Sequence, residues 1–376
     1  MDALLSRTKT YIDMSTLLFS PTQLGTLTLT NHIAMAPMTR SRAFNNIPND
    51  LMATYYGQRA SAGLIITEGV APSPNGLGYA RIPGLFSAEQ VEGWKKITGA
   101  VHEKGGHIFA QLMHTGRIAH PHNLPAGAET VAPSAIRAQG PIWTDQEGLQ
   151  ENAEPRALTT EEVKQTIQEF VQAAKNAVEA GFDGVELHGA NGYLIKQFLN
   201  PNSNQRTDEY GGSIENRARF VLEIAEQAAQ AIGKEKIGIR FSPYGQYNDM
   251  GLYPEVVETY TYLAEKLNDI GIAYLHLVDT AAPDGAETTR PLIKIIREKF
   301  SNTLILNSKY TAELAENDLQ SGLADLIAFG SPFIANPDLV ERLSIGAELA
   351  SPDPATFFAG GEKGFIDYPA LVEAEI

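Results

Sequence analysis

Short runs of apolar residues alternate along the chain with longer stretches in which apolar residues recur every three or four positions. The short runs predict buried strands, and the longer stretches predict helices with one apolar face. The predicted strands cover residues 33–38, 64–68, 107–113, 184–188, 237–241, 273–278, 303–306 and 326–329. The predicted helices lie near residues 50–62, 88–104, 159–180, 214–232, 255–270, 287–300, 311–322 and 337–345. Strands and helices therefore alternate through most of the chain.

This alternation predicts an α/β fold. Nearly continuous apolar strands separated by helices are typical of a parallel sheet covered by helices on its outside. Eight such units favour closure into a (β/α)8 TIM barrel over an open doubly wound sheet. Ser87 with Gln90, and Thr159 with Glu162, form the capping-box pattern that starts a helix. Because no linker interrupts the pattern, residues 1–376 are predicted to be a single domain, with residues 1–17 as an N-terminal extension and inserted loops near 115–158 and 191–213.

Composition narrows the class of protein. The 376 residues include no cysteine, which excludes disulfides, thiolate metal ligands and thiol nucleophiles. A formal net charge of −16 argues against a nucleic-acid partner, since that binding needs clustered Lys and Arg. No apolar run reaches the roughly 20 residues of a membrane span, and the first residues lack the pattern of a signal peptide. We therefore expect a cytoplasmic protein without a membrane partner.

Polar residues concentrate at the carboxyl ends of the predicted strands, where barrels of this kind place their functional groups. They are residues 37–40, 68–69, 111–117, 188–193, 240, 307–309 and 330–331. Neighbouring side chains on a strand point to opposite faces, so Gln111, Glu186, His188 and Arg240 are predicted to point into the barrel. An inward Arg is costly unless an anion or several acceptors meet it, which implies a buried polar ligand.

Two groups of residues are candidates for specific chemistry. Ser308 and the pair Gly330 and Ser331 come just before short predicted helices, whose first N–H groups are typical of a phosphate site. His188 is followed by Asn191 and Tyr193, which predicts a hydrogen-bond donor beside a proton donor.

Other interpretations of these residues are weaker. One His with one Asn is too few ligands for zinc, so no metal site is predicted. Glu68 and Glu186 could form a glycosidase pair, but the chain has only two Trp for stacking on sugars. Lys309 could form a Schiff base, although a phosphate partner is the simpler role.

The chain resembles the Old Yellow Enzyme family of flavin-dependent ene-reductases, in its bacterial and plant branch. The resemblance extends from about residue 18 to 369 and is strongest in ELHGANGYLIKQFLNPNSNQRTDEYGGSIENR at 186–217. It also includes NHIAMAPMTRSRA at 31–43, QRASAGLIITEG at 58–69, QLMHTGRIAH at 111–120, IRFSP at 239–243 and FGSPFIANPDL at 329–339.

The resemblance implies a barrel that holds one non-covalent FMN at its carboxyl mouth. The residues implied to bind FMN are Pro37, Met38, Thr39, Gly69, Gln111, Arg240, Ser308, Lys309, Gly330 and Ser331. Of these, Thr39 is expected to reach the flavin O4, Arg240 to stabilise the anionic reduced flavin, and the last four to surround the phosphate.

For catalysis, the resemblance implies that His188 and Asn191 hold a carbonyl or nitro oxygen while Tyr193 donates a proton to the alkene. Substrates would be activated alkenes such as enones, maleimides and nitroalkenes, with NADPH or NADH as the reductant. Tyr79, Met113, Thr115 and Phe365 are expected to line the pocket of a monomer or homodimer. The alternatives that remain are a cofactor-free barrel isomerase or lyase with His188 as base, and a barrel used for binding only.

Three positions depart from the family pattern. Ser331 stands where Arg is common, so we expect Lys309 to supply the missing positive charge. Asn191 occupies a position held by His or Asn, and Met113 replaces a bulky aromatic residue, which favours a more open pocket.

Lys309→Ala should therefore weaken FMN binding, because it removes the cation expected beside the phosphate. The dissociation constant can be measured by titrating deflavinated protein with FMN and following flavin fluorescence. An FMN affinity equal to that of the wild type would reject this role of Lys309.

Overall fold

The computed structural model describes residues 16–278 and 289–371. Its strands are Thr22–Leu24 (β1), Leu27–Leu29 (β2), Ile33–Met35 (β3), Leu64–Val70 (β4), Ile108–Leu112 (β5), Val131–Ala132 (β6), Pro141–Thr144 (β7), Gly148–Glu151 (β8), Arg156–Ala157 (β9), Gly184–Gly189 (β10), Ile237–Phe241 (β11), Tyr274–Val278 (β12), Thr303–Asn307 (β13) and Leu326–Phe329 (β14). Residues 1–15 of the predicted N-terminal extension and residues 287–288 of a predicted helix lie outside the described residues.

The helices cover the outside of the barrel or follow its strands. They are Asp50–Gly57 (α1), Ala88–His102 (α2), Thr160–Glu179 (α3), Leu194–Leu199 (α4), Ile214–Ile232 (α5), Val256–Ile270 (α6), Arg290–Lys299 (α7), Ala312–Gln320 (α8), Ser331–Ala335 (α9) and Leu339–Ser344 (α10). Both predicted capping boxes are present, at the starts of α2 and α3. In the described residues, no helix is long and apolar enough to cross a membrane.

Eight parallel strands close into a barrel in the order β3, β4, β5, β10, β11, β12, β13, β14 and back to β3. The predicted (β/α)8 TIM barrel is thus confirmed. The bounds of the barrel strands agree with the prediction within two residues, except for β3, which was predicted as residues 33–38. It ends at Met35 rather than residue 38, although the Ala36 N–H still donates to the Phe329 carbonyl oxygen at 2.9 Å, and residues 36–38 line the carboxyl mouth.

The apolar core has two shells. Outward-facing residues such as Val185, Leu187 and Ile239 pack in a large cluster with apolar residues of the helices. Inward-facing residues such as Ile66 and Phe109 form a second, smaller cluster inside the barrel. That inner cluster also contains Leu24 and Leu29 of the β1–β2 hairpin, an element that the apolar pattern did not predict. Apolar packing therefore fills one part of the interior, and at the carboxyl end a third apolar cluster, which includes Met113, Ile142 and Tyr193, lies beside the polar groups of the mouth.

A buried polar group occupies the middle of the barrel. The Glu186 carboxylate accepts a hydrogen bond from Gln111 Nε2 at 2.7 Å and another from His276 Nδ1 at 2.8 Å. Glu186 and His276 are fully buried, and Gln111 is nearly so. The predicted inward direction of Gln111 and Glu186 is confirmed, and His276 is the hydrogen-bonded core residue that its mid-strand position suggests. The hydrogen bond to Glu186 also fixes the Gln111 side chain.

Buried arginines hold the C-terminal segment over the barrel mouth. Arg40 donates to the carbonyl oxygens of Phe357 and Gly364, at 3.1 and 2.7 Å. Arg42 donates to the carbonyls of Thr356 and Phe357, both at 2.8 Å, and its guanidinium lies 4.7 Å from the centre of the Phe365 ring. Arg40 and Arg42 lie in the loop after β3, so their hydrogen bonds tie that loop to the C-terminal segment.

Glu186→Ala should lower the free energy of unfolding by about 2–5 kcal/mol, because it leaves the buried Gln111 and His276 donors without their acceptor. The exposed Glu179 on α3 provides a matched control, and Glu179→Ala should change stability by less than about 0.5 kcal/mol. Chemical denaturation of the FMN-free proteins measures both. Equal stability of the two variants would contradict this account of the network.

Candidate functional site

A cavity of about 1060 Å³ opens at the carboxyl ends of the barrel strands. Its wall contains most of the predicted site residues, together with several that were not predicted. Those predicted are Pro37, Met38, Thr39, Tyr79, Gln111, Met113, His188, Asn191, Tyr193, Arg240, Gly330 and Ser331. Residues separated by almost 300 positions in the chain are thus gathered around one space, as the barrel topology predicts.

Two residues predicted to line the pocket do not lie on its wall. Thr115 is fully buried and its hydroxyl donates to the Leu77 carbonyl oxygen at 3.1 Å, which turns the side chain into the surrounding structure. Phe365 is also fully buried and stacks on Tyr55, with ring centres 4.0 Å apart. The structure therefore gives Phe365 a core position, because aromatic stacking and the Arg42 contact hold it against α1.

Three predicted cofactor residues also lie off the wall. Gly69 is behind Met113: a Cβ atom added at Gly69 would come within 2.5 Å of the Met113 sulfur. The absence of a side chain at Gly69 thus makes room for Met113, which does line the cavity. Ser308 and Lys309 are exposed residues that directly follow Asn307, a residue of the wall. The role of Lys309 stays a prediction.

His188 is held as a neutral hydrogen-bond donor. It lies near the carboxyl end of β10 and is almost completely buried. Its Nδ1 faces the backbone N–H of Ala190 at 3.3 Å and accepts that hydrogen bond. Burial, with the positive charge of Arg240 as a second cause, lowers the pKa of His188 well below its usual range. The neutral ring must then carry its proton on Nε2, which can donate to an oxygen in the cavity.

Asn191 has an unusual backbone that fixes its position. Its φ is +56°, a left-handed conformation that Asn tolerates better than most residues. The Asn191 N–H donates to Ser242 Oγ at 2.9 Å, and its carbonyl oxygen accepts from Asn248 Nδ2 at 2.8 Å. Both backbone polar groups are therefore paired with side chains of the protein, and Asn191 itself lines the cavity.

Tyr193 completes the group. Its ring centre lies 4.9 Å from that of His188, and its hydroxyl is 3.2 Å from the hydroxyl of Tyr79. Burial is the main reason that the pKa of Tyr193 is raised to about 12. Tyr193 is accordingly a protonated phenol at neutral pH, with a second phenol beside it.

Arg240 provides the positive charge of the cavity. It pairs with His188 in the register of β10 and β11, so both side chains point inward at the same level. One guanidinium nitrogen, Nη2, donates to Asn307 Oδ1 at 2.7 Å. Its Nε is buried and has no hydrogen-bond partner within residues 16–278 and 289–371. A buried cation with an unused donor is suited to an acceptor-rich or anionic ligand.

Sequence reasoning missed other parts of the wall. Asn307 is predicted to lie at a functional strand end but is given no role, although it follows the inward parity of Ile305 on β13. Trp143, Tyr247 and Phe358 also line the cavity, and each is more than half exposed, which places them at the mouth. Nothing in the local sequence marks these aromatic residues, because they reach the cavity only through the folding of the 115–158 insertion, the loop after β11 and the C-terminal segment.

The glycosidase interpretation has no support in this geometry. Glu68 and Glu186 are both buried, and neither lines the cavity. Glu186 is engaged by Gln111 and His276, as described above. Glu68 accepts a hydrogen bond from the Arg40 backbone N–H at 3.2 Å, and burial raises its pKa to about 7. Glu68 therefore supports the loop that carries Thr39.

Comparison with known proteins agrees with this site. Residues 17–350 match the NADH:flavin oxidoreductase / NADH oxidase family. The chain belongs to this family.

Individual relatives cover nearly the whole chain. A probable flavin mononucleotide-dependent alkene reductase of Leishmania infantum is 42% identical over 360 residues, covering 94% of this chain and 97% of the relative. The structure of morphinone reductase in complex with tetrahydroNAD superposes with a TM-score of 0.90 at 44% identity, covering 96% of this chain and 99% of that one. An Old Yellow Enzyme homologue from Zymomonas mobilis has a TM-score of 0.90 at 42% identity, with coverage of 94% and 99%. The predicted family and its FMN-dependent oxidoreductase chemistry are confirmed.

The donor set of the cavity fits FMN. The unused Arg240 Nε can meet the electron-rich edge of the flavin, and Gln111 presents its amide oxygen because its Nε2 is committed to Glu186. Gly330 lines the cavity, and a Cβ atom added there would make ordinary van der Waals contacts with Met38 and Ala36 at 3.8 and 3.9 Å. The volume exceeds what a planar tricyclic ring needs and leaves room for a second ligand beside it.

Proposed function

We propose that this protein reduces the C=C bond of activated alkenes with NADH or NADPH, using bound FMN. The observation that carries the proposal is the juxtaposition of a neutral His188, the fixed Asn191 and the protonated Tyr193 in the wall of one cavity. Two neutral donors next to a phenol suit a substrate that has a carbonyl or nitro oxygen conjugated to an alkene. α,β-Unsaturated carbonyls, maleimides and nitroalkenes have this chemistry.

The role of the donors is to polarise the substrate. His188 Nε2–H and the Asn191 side-chain amide together would bind the substrate oxygen and stabilise the negative charge that develops on it. The positive charge of Arg240, one strand away from His188, also stabilises the negative charge on the substrate oxygen. Because His188 is neutral, it donates a hydrogen bond without transferring its proton to the substrate.

The role of Tyr193 is to supply the proton. Its phenol would donate to the α-carbon of the alkene, and the Tyr79 hydroxyl at 3.2 Å can hydrogen-bond to the oxygen left behind. Bound FMN supplies the hydride chemistry of both half-reactions. Pro37, Met38 and Thr39 on one side and Gly330 with Ser331 on another are the residues that would hold it.

Purification followed by anaerobic spectroscopy tests the proposal. The protein should be yellow, NADH or NADPH should bleach it in the absence of oxygen, and 2-cyclohexenone should restore the colour. A colourless protein that binds no added FMN would reject the proposal. A bleached protein that no enone, maleimide or nitroalkene reoxidises would reject alkene reduction while leaving flavin binding intact.

Tyr193→Phe should slow reoxidation by 2-cyclohexenone by about 10²–10⁴-fold, the range of general acid catalysis, and leave flavin reduction by NADH nearly unchanged. Since the pKa of Tyr193 is raised to about 12, the phenol keeps its proton well above neutral pH. The ratio of wild-type to variant rates should therefore be constant between about pH 6 and about pH 9. Stopped-flow absorbance measures both half-reactions. A ratio that falls as the pH rises through this interval would show that Tyr193 loses its proton there, against the prediction.

A further inference from the structure

Lys196 is an unexpected residue to find inside the protein. It lies on α4, a short helix in which every residue is buried, and only 2% of Lys196 is exposed. Lys is among the residues that are almost never buried without compensating partners. Burial lowers its pKa to about 7. Hydrogen-bond partners are therefore needed to offset the cost of burying this amine.

The Lys196 amine connects α4 to the loop after β11. Its Nζ donates to the Ser242 carbonyl oxygen at 2.6 Å, to Ser242 Oγ at 3.1 Å and to the Gly245 carbonyl oxygen at 2.6 Å. In its charged form the amine has three N–H donors, and these three oxygens can accept all of them. Lys196 thus fixes both the backbone and the hydroxyl of Ser242.

Ser242 in turn holds Asn191. The Ser242 hydroxyl oxygen accepts the backbone N–H of Asn191 at 2.9 Å, and Ser242 is completely buried. Asn191 has a backbone φ of +56°, a conformation that costs free energy and persists only where its surroundings impose it. The hydrogen bond from its N–H is one of the contacts that can impose it.

We propose that Lys196 is a positioning residue for substrate binding, which acts through Ser242 to set the place of the Asn191 amide beside His188. The inference rests on the proposed function, in which Asn191 binds the substrate oxygen. Neither Lys196 nor Ser242 lines the cavity, so neither touches the substrate. Their effect is on geometry: a donor displaced by a fraction of a hydrogen-bond length loses much of its transition-state stabilisation.

The structure favours this role over simple packing. A residue required only to fill space on α4 could be apolar, since Leu194, Ile195 and Phe198 around it are apolar and buried. A long side chain whose three donors converge on one loop, at the hydroxyl that holds Asn191, is explained by the need to fix that loop.

Three variants of the FMN-loaded enzyme test the inference: Lys196→Met, Ser242→Ala and the double variant. The first readout is the dissociation constant of 2-cyclohexenone for the oxidised enzyme, from the change in flavin absorbance. The second is the rate of anaerobic reoxidation of the reduced enzyme by the same enone. Each single variant should weaken binding or slow reoxidation by about 10- to 100-fold. The double variant should be no worse than the poorer single variant, because both changes break the same connection.

Two controls separate positioning from general damage. Reoxidation by dioxygen needs the reduced flavin but not the hydrogen bonds from His188 and Asn191. Its rate and the FMN content should therefore match the wild type in all three variants. Lys175→Met makes the same chemical change at an exposed position of α3 and should leave every measurement unchanged. If Lys196→Met does not yield folded holoenzyme, Ser242→Ala decides alone, since it keeps the lysine and removes only the shared hydroxyl.

The outcomes are distinct. Unchanged enone binding and reoxidation in the variants would overturn the inference while the proposed function stands. An equal fall in the rates of reoxidation by the enone and by dioxygen, or a loss of bound FMN, would also overturn it, because the effect would then be structural. Fully additive effects in the double variant would show that Lys196 does not act through Ser242, and this would overturn the inference. A wild-type enzyme that neither binds the enone nor is reoxidised by it would overturn the proposed function and, with it, this inference.

Discussion

The buried carboxylate of Glu186 is the constraint on which the polar half of the barrel depends. A carboxyl group buried inside a closed barrel must be hydrogen-bonded, and Glu186 is met by Gln111 from β5 and His276 from β12. The same contacts fix the Gln111 amide in the cavity wall. The hydrogen bonds that this buried group requires thus give a defined orientation to a side chain that faces the cavity.

The cavity is built from segments that only closure of the barrel brings together. His188, Asn191 and Tyr193 come from β10 and the residues just after it, and Arg240 comes from β11. Residues 36–39 and 330–331 form another part of the wall. Arg40 and Arg42 add the C-terminal segment by binding its carbonyl oxygens. Because buried hydrogen bonds and not sequence proximity hold these pieces, an isolated part of the chain would not reproduce the site.

Much of the fold and of the site was accessible from the pattern of residues. Strand parity correctly placed Gln111, Glu186 and Arg240 inside the barrel, since side chains on a strand alternate strictly. The pattern failed where the backbone leaves regular structure. The predicted strand 33–38 stops at Met35. Thr115 and Phe365, which the family resemblance and not the pattern implied for the pocket, are buried, with a hydrogen bond and an aromatic stack holding them.

By itself, the sequence determined the eight strand–helix units, the inward polar positions and, through the stretch at 186–217, the family. These depend on local periodicity and on residue identity, which are written along the chain. Only the tertiary structure decided that the His188 proton is on Nε2, that Trp143 and Phe358 reach the mouth, and that Lys196 meets Ser242. The last two findings depend on residues far apart in the chain, and the His188 proton depends on burial of the ring, so all three exist only after the barrel has closed.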